Sequence, residues 1–284
     1  MTPAVDRRGR SIMSEFANND GDVPVLARGV KARFGAAMVL KGVDLRVRRG
    51  EILAVVGSSG GGKSVLLRTM LGLKSLEAGE IRLFDRNITA IDERERNALL
   101  RRCGVLFQNG ALFSSLTVRE NIEVPLRETG RLSEPLQDAI ALVKIGLVGL
   151  SPDTADLYPR ELSGGMQKRA AVARAIALDP ELLFLDEPTS GLDPPSAAEL
   201  DRLILDLSQA LGLTVVMITH DLDSVYAISD RVAVLVDGRI ITVAPVAEAE
   251  RLDHPWIRAY FHGPRGRSGQ RALGDGRERL RAGG

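Results

Sequence analysis

The chain has 284 residues, of which 44% are hydrophobic, and its formal net charge is +1. This length and composition suffice to bury the core of one large domain. A charge so close to zero argues against a general electrostatic attraction to nucleic acid or to anionic lipid. The single cysteine, Cys103, excludes an intramolecular disulfide and favours a reducing, cytoplasmic location.

Neither a membrane span nor a signal peptide is expected from the sequence. No apolar run reaches the roughly 18 residues that a span needs, and the N-terminus lacks a charged-then-apolar pattern. If the protein works at a membrane, we therefore expect another chain to supply the spans. Residues 1–22 and 264–284 are polar and without periodicity, which predicts disordered tails.

Antiparallel strands are predicted between Val23 and Val47, in β-rich runs broken at Gly29, Gly35 and Gly42. Phe34, next to one of these breaks, is the only aromatic residue between the N-terminal tail and residue 57. Its ring could stack on a purine base. A core phenylalanine at a strand end explains the position equally well.

A glycine-rich loop joins a predicted apolar strand, Glu51–Val56, to a predicted helix, Val65–Leu73. This order is the context of a phosphate-binding P-loop, in which glycines let backbone N–H groups face a polyphosphate. Lys63 is predicted to reach the β- and γ-phosphates, and the Ser64 hydroxyl to ligate Mg²⁺. The stretch predicts a nucleoside-triphosphate site made of Gly57, Ser58, Ser59, Gly60, Gly61, Gly62, Lys63, Ser64 and Val65.

Beyond the loop, the region 108–170 has no strong strand signal, which predicts a helical insert within an α/β domain. The elements predicted before it are a strand at Glu80–Phe84, a helix at Asp92–Arg102 and a strand at Cys103–Phe107. Within it, helices are predicted at Val118–Arg127 and Glu134–Leu147.

After the insert, continuously hydrophobic strands alternate with helices, which is typical of a parallel sheet covered on both faces. The predicted elements are strands at Leu182–Leu185 and Thr214–Thr219, a helix at Pro195–Leu211, and a hairpin of Val232–Val236 with Arg239–Val243.

Asp186 and Glu187 directly follow one of these strands, in the pattern of a Walker B strand. Asp186 is predicted to hold Mg²⁺ through water, and Glu187 to orient the attacking water. An acidic pair at a strand end is by itself more often a solvated terminus. The P-loop in the same chain favours the catalytic interpretation.

A second candidate anion site begins at Ser163, which is placed to cap a helix whose first residues are Gly164 and Gly165. The same pattern also describes a well-capped structural helix. Together, however, LSGGMQ at 162–167, LLFLDEP at 182–188, SGLD at 190–193 and His220 resemble the nucleotide-binding subunit of ABC transporters. The resemblance covers about residues 24–245.

This resemblance implies an α/β P-loop NTPase fold, the ABC cassette, with a RecA-like core, an antiparallel β subdomain and a helical subdomain. The implied division assigns 23–107 and 171–245 to the ATP-binding core with the β subdomain, and 108–170 to the helical subdomain. Residues 246–263 are assigned to a C-terminal helical extension.

It also implies roles for single residues, with ATP and Mg²⁺ as cofactors. Gln108 matches the Q-loop glutamine that contacts Mg²⁺ and the water, and His220 matches the switch histidine at the γ-phosphate. Phe34 matches the aromatic residue that stacks on adenine, where tyrosine is commoner. The implied catalytic residues are Glu187, His220 and Gln108, and the implied metal ligands are Ser64, Gln108 and Asp186. The implied signature residues, which act in trans, are Ser163, Gly164, Gly165, Met166 and Gln167. Asp193 is implied to be the D-loop aspartate.

Since the signature is implied to act in trans, each ATP site would combine the P-loop of one copy with the signature of another. The chain has one P-loop and one signature, so two such sites require a head-to-tail homodimer. ATP would hold the two copies together, and hydrolysis would release them, which can drive a membrane permease.

Three stretches resemble the phospholipid-transporting, Mla-type branch that works with MCE-domain proteins. The resemblance implies a place on the cytoplasmic face of a bacterial inner membrane. It implies a permease and an MCE-domain lipid-binding protein as partners, a small STAS-domain regulator as a further candidate, and no nucleic acid. The stretches are 62–67, 104–118 and 254–267.

Other readings remain open. Within the same class, the chain could serve an importer of a polar solute such as an amino acid. A soluble ABC ATPase acting on ribosomes or DNA usually carries tandem cassettes or long coiled coils, which this sequence lacks, and a non-ABC P-loop kinase leaves LSGGMQ unexplained. In the C-terminal stretch, Trp256, Tyr260 and Phe261 predict a short aromatic helix that docks on its own domain or, alternatively, on the second subunit.

Overall fold

A computed structural model of the protein describes residues 23–108, 110 and 112–263, in which the strands form two sheets. Residues 1–22 and 264–284, for which we predict tails, lie outside the described residues, as do Asn109 and Ala111. The strands are β1 (Val25–Phe34), β2 (Ala37–Val47), β3 (Ile52–Gly57), β4 (Ala78–Leu83), β5 (Arg86–Asn87), β6 (Cys103–Leu106), β7 (Leu182–Asp186), β8 (Thr214–Ile218), β9 (Arg231–Val236) and β10 (Arg239–Pro245).

The helices lie between these strands and after the last one. They are α1 (Lys63–Met70), α2 (Glu93–Leu100), α3 (Val118–Glu128), α4 (Glu134–Leu147), α5 (Gly164–Ala175), α6 (Pro194–Leu211), α7 (Leu222–Ile228), α8 (Val246–Ala249) and α9 (Pro255–His262), with short 3-10 helices at Pro152–Asp156 and Pro159–Glu161. Among the described helices, none has both the length and the hydropathy needed to cross a bilayer.

The larger sheet has six strands in the order β10-β9-β3-β8-β7-β6. All neighbours pair in parallel except β9 and β10, which form an antiparallel hairpin. The predicted parallel sheet and hairpin are therefore confirmed. Because the carboxyl ends of parallel strands share one edge, the residues that follow β3, β6, β7 and β8 are brought to the same side of the molecule.

Both faces of this sheet are buried, which explains why its strands are continuously hydrophobic. Along β3, Ile52, Ala54 and Val56 point into a core shared with α5 and α6, whereas Leu53 and Val55 point into a second core. That second core is shared with α1 and with the smaller sheet.

The smaller sheet has the strand order β2-β1-β4-β5 and antiparallel pairing. Of the predicted breaks, only Gly35 lies in a turn; the other two predictions are wrong. Gly29 and Gly42 lie inside continuous strands, with φ of 56° and 97°, where the register of β1 against β2 shifts. The glycines at these positions accommodate bulges, so the strands bend without ending.

Between β6 and β7 the described residues form helices and no strand. Helix α3 begins at a capping box in which Thr117 accepts a hydrogen bond from the Glu120 backbone, and the Glu120 carboxylate accepts one from Thr117. Buried Asn121 ties the preceding loop to this helix, since its amide bonds the backbone of Phe113 and Leu116. The division of the chain into subdomains remains a prediction.

Helix α9 packs on its own chain. Ile257 and Phe261 are 1% and 0% exposed, and the Phe261 ring meets Tyr226 of α7 edge-to-face at 6.0 Å. The Tyr226 hydroxyl donates to Glu250, just after α8, at 2.5 Å. The predicted short aromatic helix is thus present, and in this structure it docks on its own domain.

Candidate functional site

The glycine loop after β3 curls around the amine of Lys63. Lys63 Nζ donates to Gly57 O at 2.9 Å and to Ser58 O at 3.0 Å, so the lysine crosses the loop from the start of α1. Burial lowers the pKa of Lys63, and the charges of Glu187 and Asp186 partly oppose that shift. A cation already held here, close to two carboxylates, is suited to receive a polyphosphate.

Gly62 gives the loop a backbone that other residues adopt only under strain. It caps α1 with φ of 102°, and a Cβ at this position would lie 2.8 Å from Val39 Cγ1. The chain therefore requires glycine here, both for the left-handed conformation and for the close packing against β2.

Asp186 carries an uncompensated buried oxygen. Its side chain is 5% exposed, and Oδ1 has no hydrogen-bond partner among the described atoms. Burial raises the pKa of Asp186, the neighbouring Glu187 raises it further, and Arg68, Lys63 and the Ser64 hydroxyl partly oppose the shift. A carboxylate oxygen and a hydroxyl at one point form the kind of oxygen set that Mg²⁺ or its bound water takes.

The described residues hold no cluster of three or more His, Cys, Asp or Glu side chains that could enclose a metal ion. Protein ligands at Ser64 and Asp186 would therefore be supplemented by phosphate and water oxygens, which is typical of Mg²⁺ at nucleotide sites. The side chains of Ser64 and Asp186 therefore fit a bound Mg²⁺ ion.

Glu187 is held in place from several sides. Its φ of 52° lies in the left-handed region, which is uncommon for a residue with a side chain. Its backbone N–H donates to Ile218 O at 2.8 Å, and its Oε2 lies 2.7 Å from His220 Nδ1. The Glu187 side chain is 11% exposed and that of His220 is 64% exposed. A largely buried carboxylate at a strand end is thus in contact with an imidazole that faces solvent.

Gln108 and Phe34 both lie at the surface. Gln108 follows β6 and is exposed, while its backbone oxygen accepts a hydrogen bond from Lys168 Nζ at 2.7 Å. Phe34 is 63% exposed at the end of β1, and Lys74 Nζ lies 5.8 Å from its ring centroid. The alternative of a core phenylalanine is therefore wrong, and the ring is exposed enough for a base to stack on it.

The signature residues and the predicted D-loop aspartate lie side by side at two helix N-termini. Exposed Ser163 caps α5 by accepting from Met166 N at 3.3 Å, and a Cβ at Gly164 would lie 3.5 Å from Leu192. Asp193 caps α6, and hydrogen bonds from the Ser196 backbone and hydroxyl lower the pKa of its carboxyl. Two adjacent, exposed helix N-termini are suited to an anion or to a second chain.

Gln167 and Met166, predicted to act in trans, have local contacts. The Gln167 amide donates to Pro159 O at 2.9 Å and Leu162 O at 3.2 Å, which fixes the turn ahead of α5. Met166 is partly buried against the core that β3 shares with α5 and α6.

Lys168 is the residue that the sequence analysis missed. It is 8% exposed on α5, and the charges of Glu187 and Asp186 act on its ammonium group. Its helical spacing to Ala171 and Val172, which are both buried, is the signal that could have placed it on the inner face of the helix.

Comparison with known proteins places this geometry in a family. The sequence model described as ABC transporter matches residues 40–190, which is more than half of the chain. The methionine import ATP-binding protein MetN of Rhizobium johnstonii is 46% identical over 84% of this chain and 64% of its own length. The chain thus spans less than two thirds of the MetN relatives that it matches.

Another relative is matched over most of its length. The intermembrane phospholipid transport system ATP-binding protein MlaF of Escherichia coli K12 is 39% identical, over 83% of this chain and 87% of its own length.

Solved structures show the same fold. An ATP-binding cassette solved as a dimer in a post-hydrolysis state with ADP and Pi has a TM-score of 0.72 and 30% identity, covering 78% of this chain and 98% of that one. A cassette from Clostridium perfringens, part of the ABC transporter complex cbiONQ, has a TM-score of 0.74 at 26% identity over 88% of this chain and 99% of its own. The chain therefore belongs to the ABC transporter family and carries that family's ATPase cassette, which works with ATP and Mg²⁺.

Proposed function

We propose that the protein is the ATP-hydrolysing subunit of a transporter that moves phospholipid, or a related hydrophobic molecule, between bacterial envelope membranes. The observation that carries this proposal is the match to the E. coli phospholipid transport protein MlaF over 87% of that protein's length. The resemblance of 62–67, 104–118 and 254–267 to the Mla-type branch supports it; of these stretches, 109, 111 and 264–267 lie outside the described residues.

The second candidate is an importer of a polar solute. It is favoured by the higher identity, 46%, to the methionine import protein MetN. That match leaves more than a third of the MetN protein without a counterpart in this chain, which is why we place it second.

The proposed catalytic chemistry follows from the strand ends. Glu187, fixed on two sides by Ile218 O and His220, would orient the attacking water and accept its proton. Lys63 and the loop N–H groups would bind the phosphates, and Gln108 would reach the water from the end of β6. Bound Mg²⁺ would neutralise charge on the phosphate oxygens, held by Ser64 and Asp186.

We propose that the working unit is a homodimer. Exposed Ser163 and Gly164, with partly exposed Gly165, would then bind the γ-phosphate of ATP held by the partner copy, and Asp193 would lie beside them at the interface. The solved cassette with ADP and Pi is a dimer, which supports this arrangement.

In this proposal the cassette binds a membrane permease on the cytoplasmic side of the inner membrane. An MCE-domain lipid-binding protein and a STAS-domain regulator are the further partners we propose. No nucleic-acid partner is proposed, since the net charge of +1 offers little general attraction for it.

The test is a mild-detergent pull-down of the tagged full chain from its native cells, with mass spectrometry of the proteins and lipids retained. Recovery of a permease with an MCE-domain protein and phospholipid is the expected result. A permease recovered with a periplasmic amino-acid-binding protein would instead support the importer. Ribosomal or DNA-bound proteins in place of a permease would contradict both.

A further inference from the structure

The ammonium group of Lys168 touches the backbone of two predicted catalytic segments at once. Lys168 Nζ donates to Gln108 O at 2.7 Å, and it lies 3.5 Å from Glu187 O, at the outer limit of a hydrogen bond. Gln108 follows β6 and Glu187 follows β7, and these strands are neighbours in the sheet. The lysine therefore joins two strand ends that have no covalent connection near the site.

A lysine in this position needs a reason, because burying an ammonium group is costly. Lys168 is 8% exposed, and burial lowers the pKa of its amine, while the charges of Glu187 and Asp186 oppose that change. Two carbonyl acceptors and two nearby carboxylates thus compensate for the lost hydration.

Glu187 has the backbone conformation that such a contact can stabilise. Its φ of 52° puts it in the left-handed region, and its N–H is bonded to Ile218 O. With Lys168 near the Glu187 carbonyl, the peptide groups on both sides of the residue have polar neighbours. Strained residues of this kind persist when their surroundings determine them from several directions.

Lys168 also belongs to the helix that begins with the signature. Helix α5 starts at Gly164, capped by Ser163, and Lys168 follows one turn later. Movement of the α5 N-terminus would therefore shift the hydrogen-bond donor that holds Gln108 and Glu187.

We propose that Lys168 is a positioning residue for ATP hydrolysis: its ammonium fixes the Gln108 and Glu187 backbones relative to each other and couples both to the signature helix. This inference rests on the catalytic roles proposed above for Gln108 and Glu187. It assigns Lys168 no contact with ATP, so its effect belongs to the rate of turnover and not to nucleotide affinity.

Three variants of the full chain test it: Lys168→Met, Lys168→Arg and the matched control Lys144→Met. Lys144 is a buried lysine too, 4% exposed, but it donates to Asp179 and not to the catalytic segments. For each, kcat and KM for Mg–ATP, the affinity for a fluorescent ATP analogue and the thermal midpoint are measured.

Lys168→Met should lower kcat about tenfold or more, because misplacing catalytic groups by about 1 Å can cost about a hundredfold. KM and analogue affinity should change less than about threefold, since binding of the phosphates is left intact. Lys168→Arg should regain most of kcat, because a guanidinium can donate to both carbonyls. Lys144→Met should keep kcat within about twofold of the wild type, whatever its thermal midpoint.

A Lys168→Met kcat no lower than that of Lys144→Met, or an Arg variant as slow as the Met variant, would overturn the inference. If Lys168→Met does not fold, Lys168→Leu replaces it, because leucine also lacks a hydrogen-bond donor; the same loss is expected and the same result would overturn the inference. Glu187→Gln is assayed in parallel: if it hydrolyses ATP at the wild-type rate, the proposed catalytic assignment fails as well. If Glu187→Gln is inactive and Lys168→Met is fast, the Lys168 inference fails alone.

Discussion

Asp201, on the inner face of α6, is a buried carboxyl group with one oxygen unpaired among the described atoms. Oδ2 accepts from Ser224 Oγ at 2.7 Å, Oδ1 has no partner, and the residue is 5% exposed. Burial raises the pKa of Asp201 to about 7; Asp221 and Asp223 raise it as well, and the Ser224 hydrogen bond opposes them. The group therefore keeps its proton in the folded state at a pH where the unfolded chain has lost it.

The raised pKa of Asp201 makes the stability of the fold depend on pH. Between the ordinary pKa of 3.8 and the folded value of about 7, the folded state binds more protons, so stability from this group falls as pH rises. The shift corresponds to about 4 kcal/mol across that range. Asp201→Asn should remove this dependence, so the variant should gain stability relative to the wild type between pH 4 and pH 8.

The measurement is urea unfolding of wild type and Asp201→Asn at several pH values. Asp206→Asn is the control on the same helix, because Asp206 is half exposed and pairs with Arg202 at the surface. Parallel pH profiles for Asp201→Asn and the wild type would show that Asp201 does not titrate in this way.

At the scale of single residues, the sequence reveals some of these groups and not others. Lys63, Ser64, Asp186 and Glu187 are readable because each belongs to a contiguous motif next to a strand. The strained backbone of Glu187 is not readable, since it depends on how β7 ends against β8. Asp201 and its partner Ser224 escape prediction because the contact joins two helices separated by a strand.

At the scale of elements, helix α9 packs into the core that β3 shares with α5 and α6. Phe261 is 0% exposed and packs on Tyr226, and Trp256 stacks on Tyr260 with ring centroids 4.8 Å apart. Helix α7, which carries Tyr226, begins two residues after His220. The aromatic helix therefore supports the element that follows the predicted switch histidine.

Phe261→Ala should destabilise the fold by about 3–5 kcal/mol, because a fully buried aromatic ring is removed. Leu252→Ala is the control: Leu252 is 42% exposed, and its truncation should change stability by no more than about 0.5 kcal/mol. The free energy of unfolding in urea is measured without nucleotide. Equal values for the two variants would mean that α9 does not contribute to the core.

Element boundaries were predictable where a strong pattern ends at a clear signal. The hairpin around Asp237-Gly238, the strand before Asp186 and the helix after the glycine loop all appear near their predicted bounds. Strand β5, with two residues, is too short to give any pattern. Gly29 and Gly42 are read as breaks because a glycine in a bulge and a glycine in a turn look alike without the partner strand.

At the scale of the whole molecule, the proposed dimer brings the exposed signature of one copy to the ATP held by the glycine loop of the other. Ser163→Arg should place a bulky cation where the partner's γ-phosphate is proposed to lie. We expect Glu187→Gln to slow hydrolysis. In that background, Mg–ATP should produce dimers, and Ser163→Arg should abolish them without changing ATP binding to the monomer. Light scattering after size exclusion measures this.

Ser151→Arg is the control for that experiment, because Ser151 is also exposed but lies ahead of the short 3-10 helix at Pro152–Asp156. It should leave ATP-dependent dimers intact. Dimers that persist in Ser163→Arg would argue that the signature does not complete the partner's site.

The most direct test of the account is the steady-state ATPase rate of Glu187→Gln, measured alongside its affinity for ATP. Loss of a general base costs about a hundredfold to ten-thousandfold, so the rate should fall below about 1% of wild type while ATP affinity stays within about threefold. The control is Glu181→Gln, which should keep its activity. Glu181 directly precedes β7, and its carboxylate pairs with Arg49 and Arg102 at the surface. Hydrolysis by Glu187→Gln at the wild-type rate would contradict the assignment of Glu187 as the catalytic carboxylate.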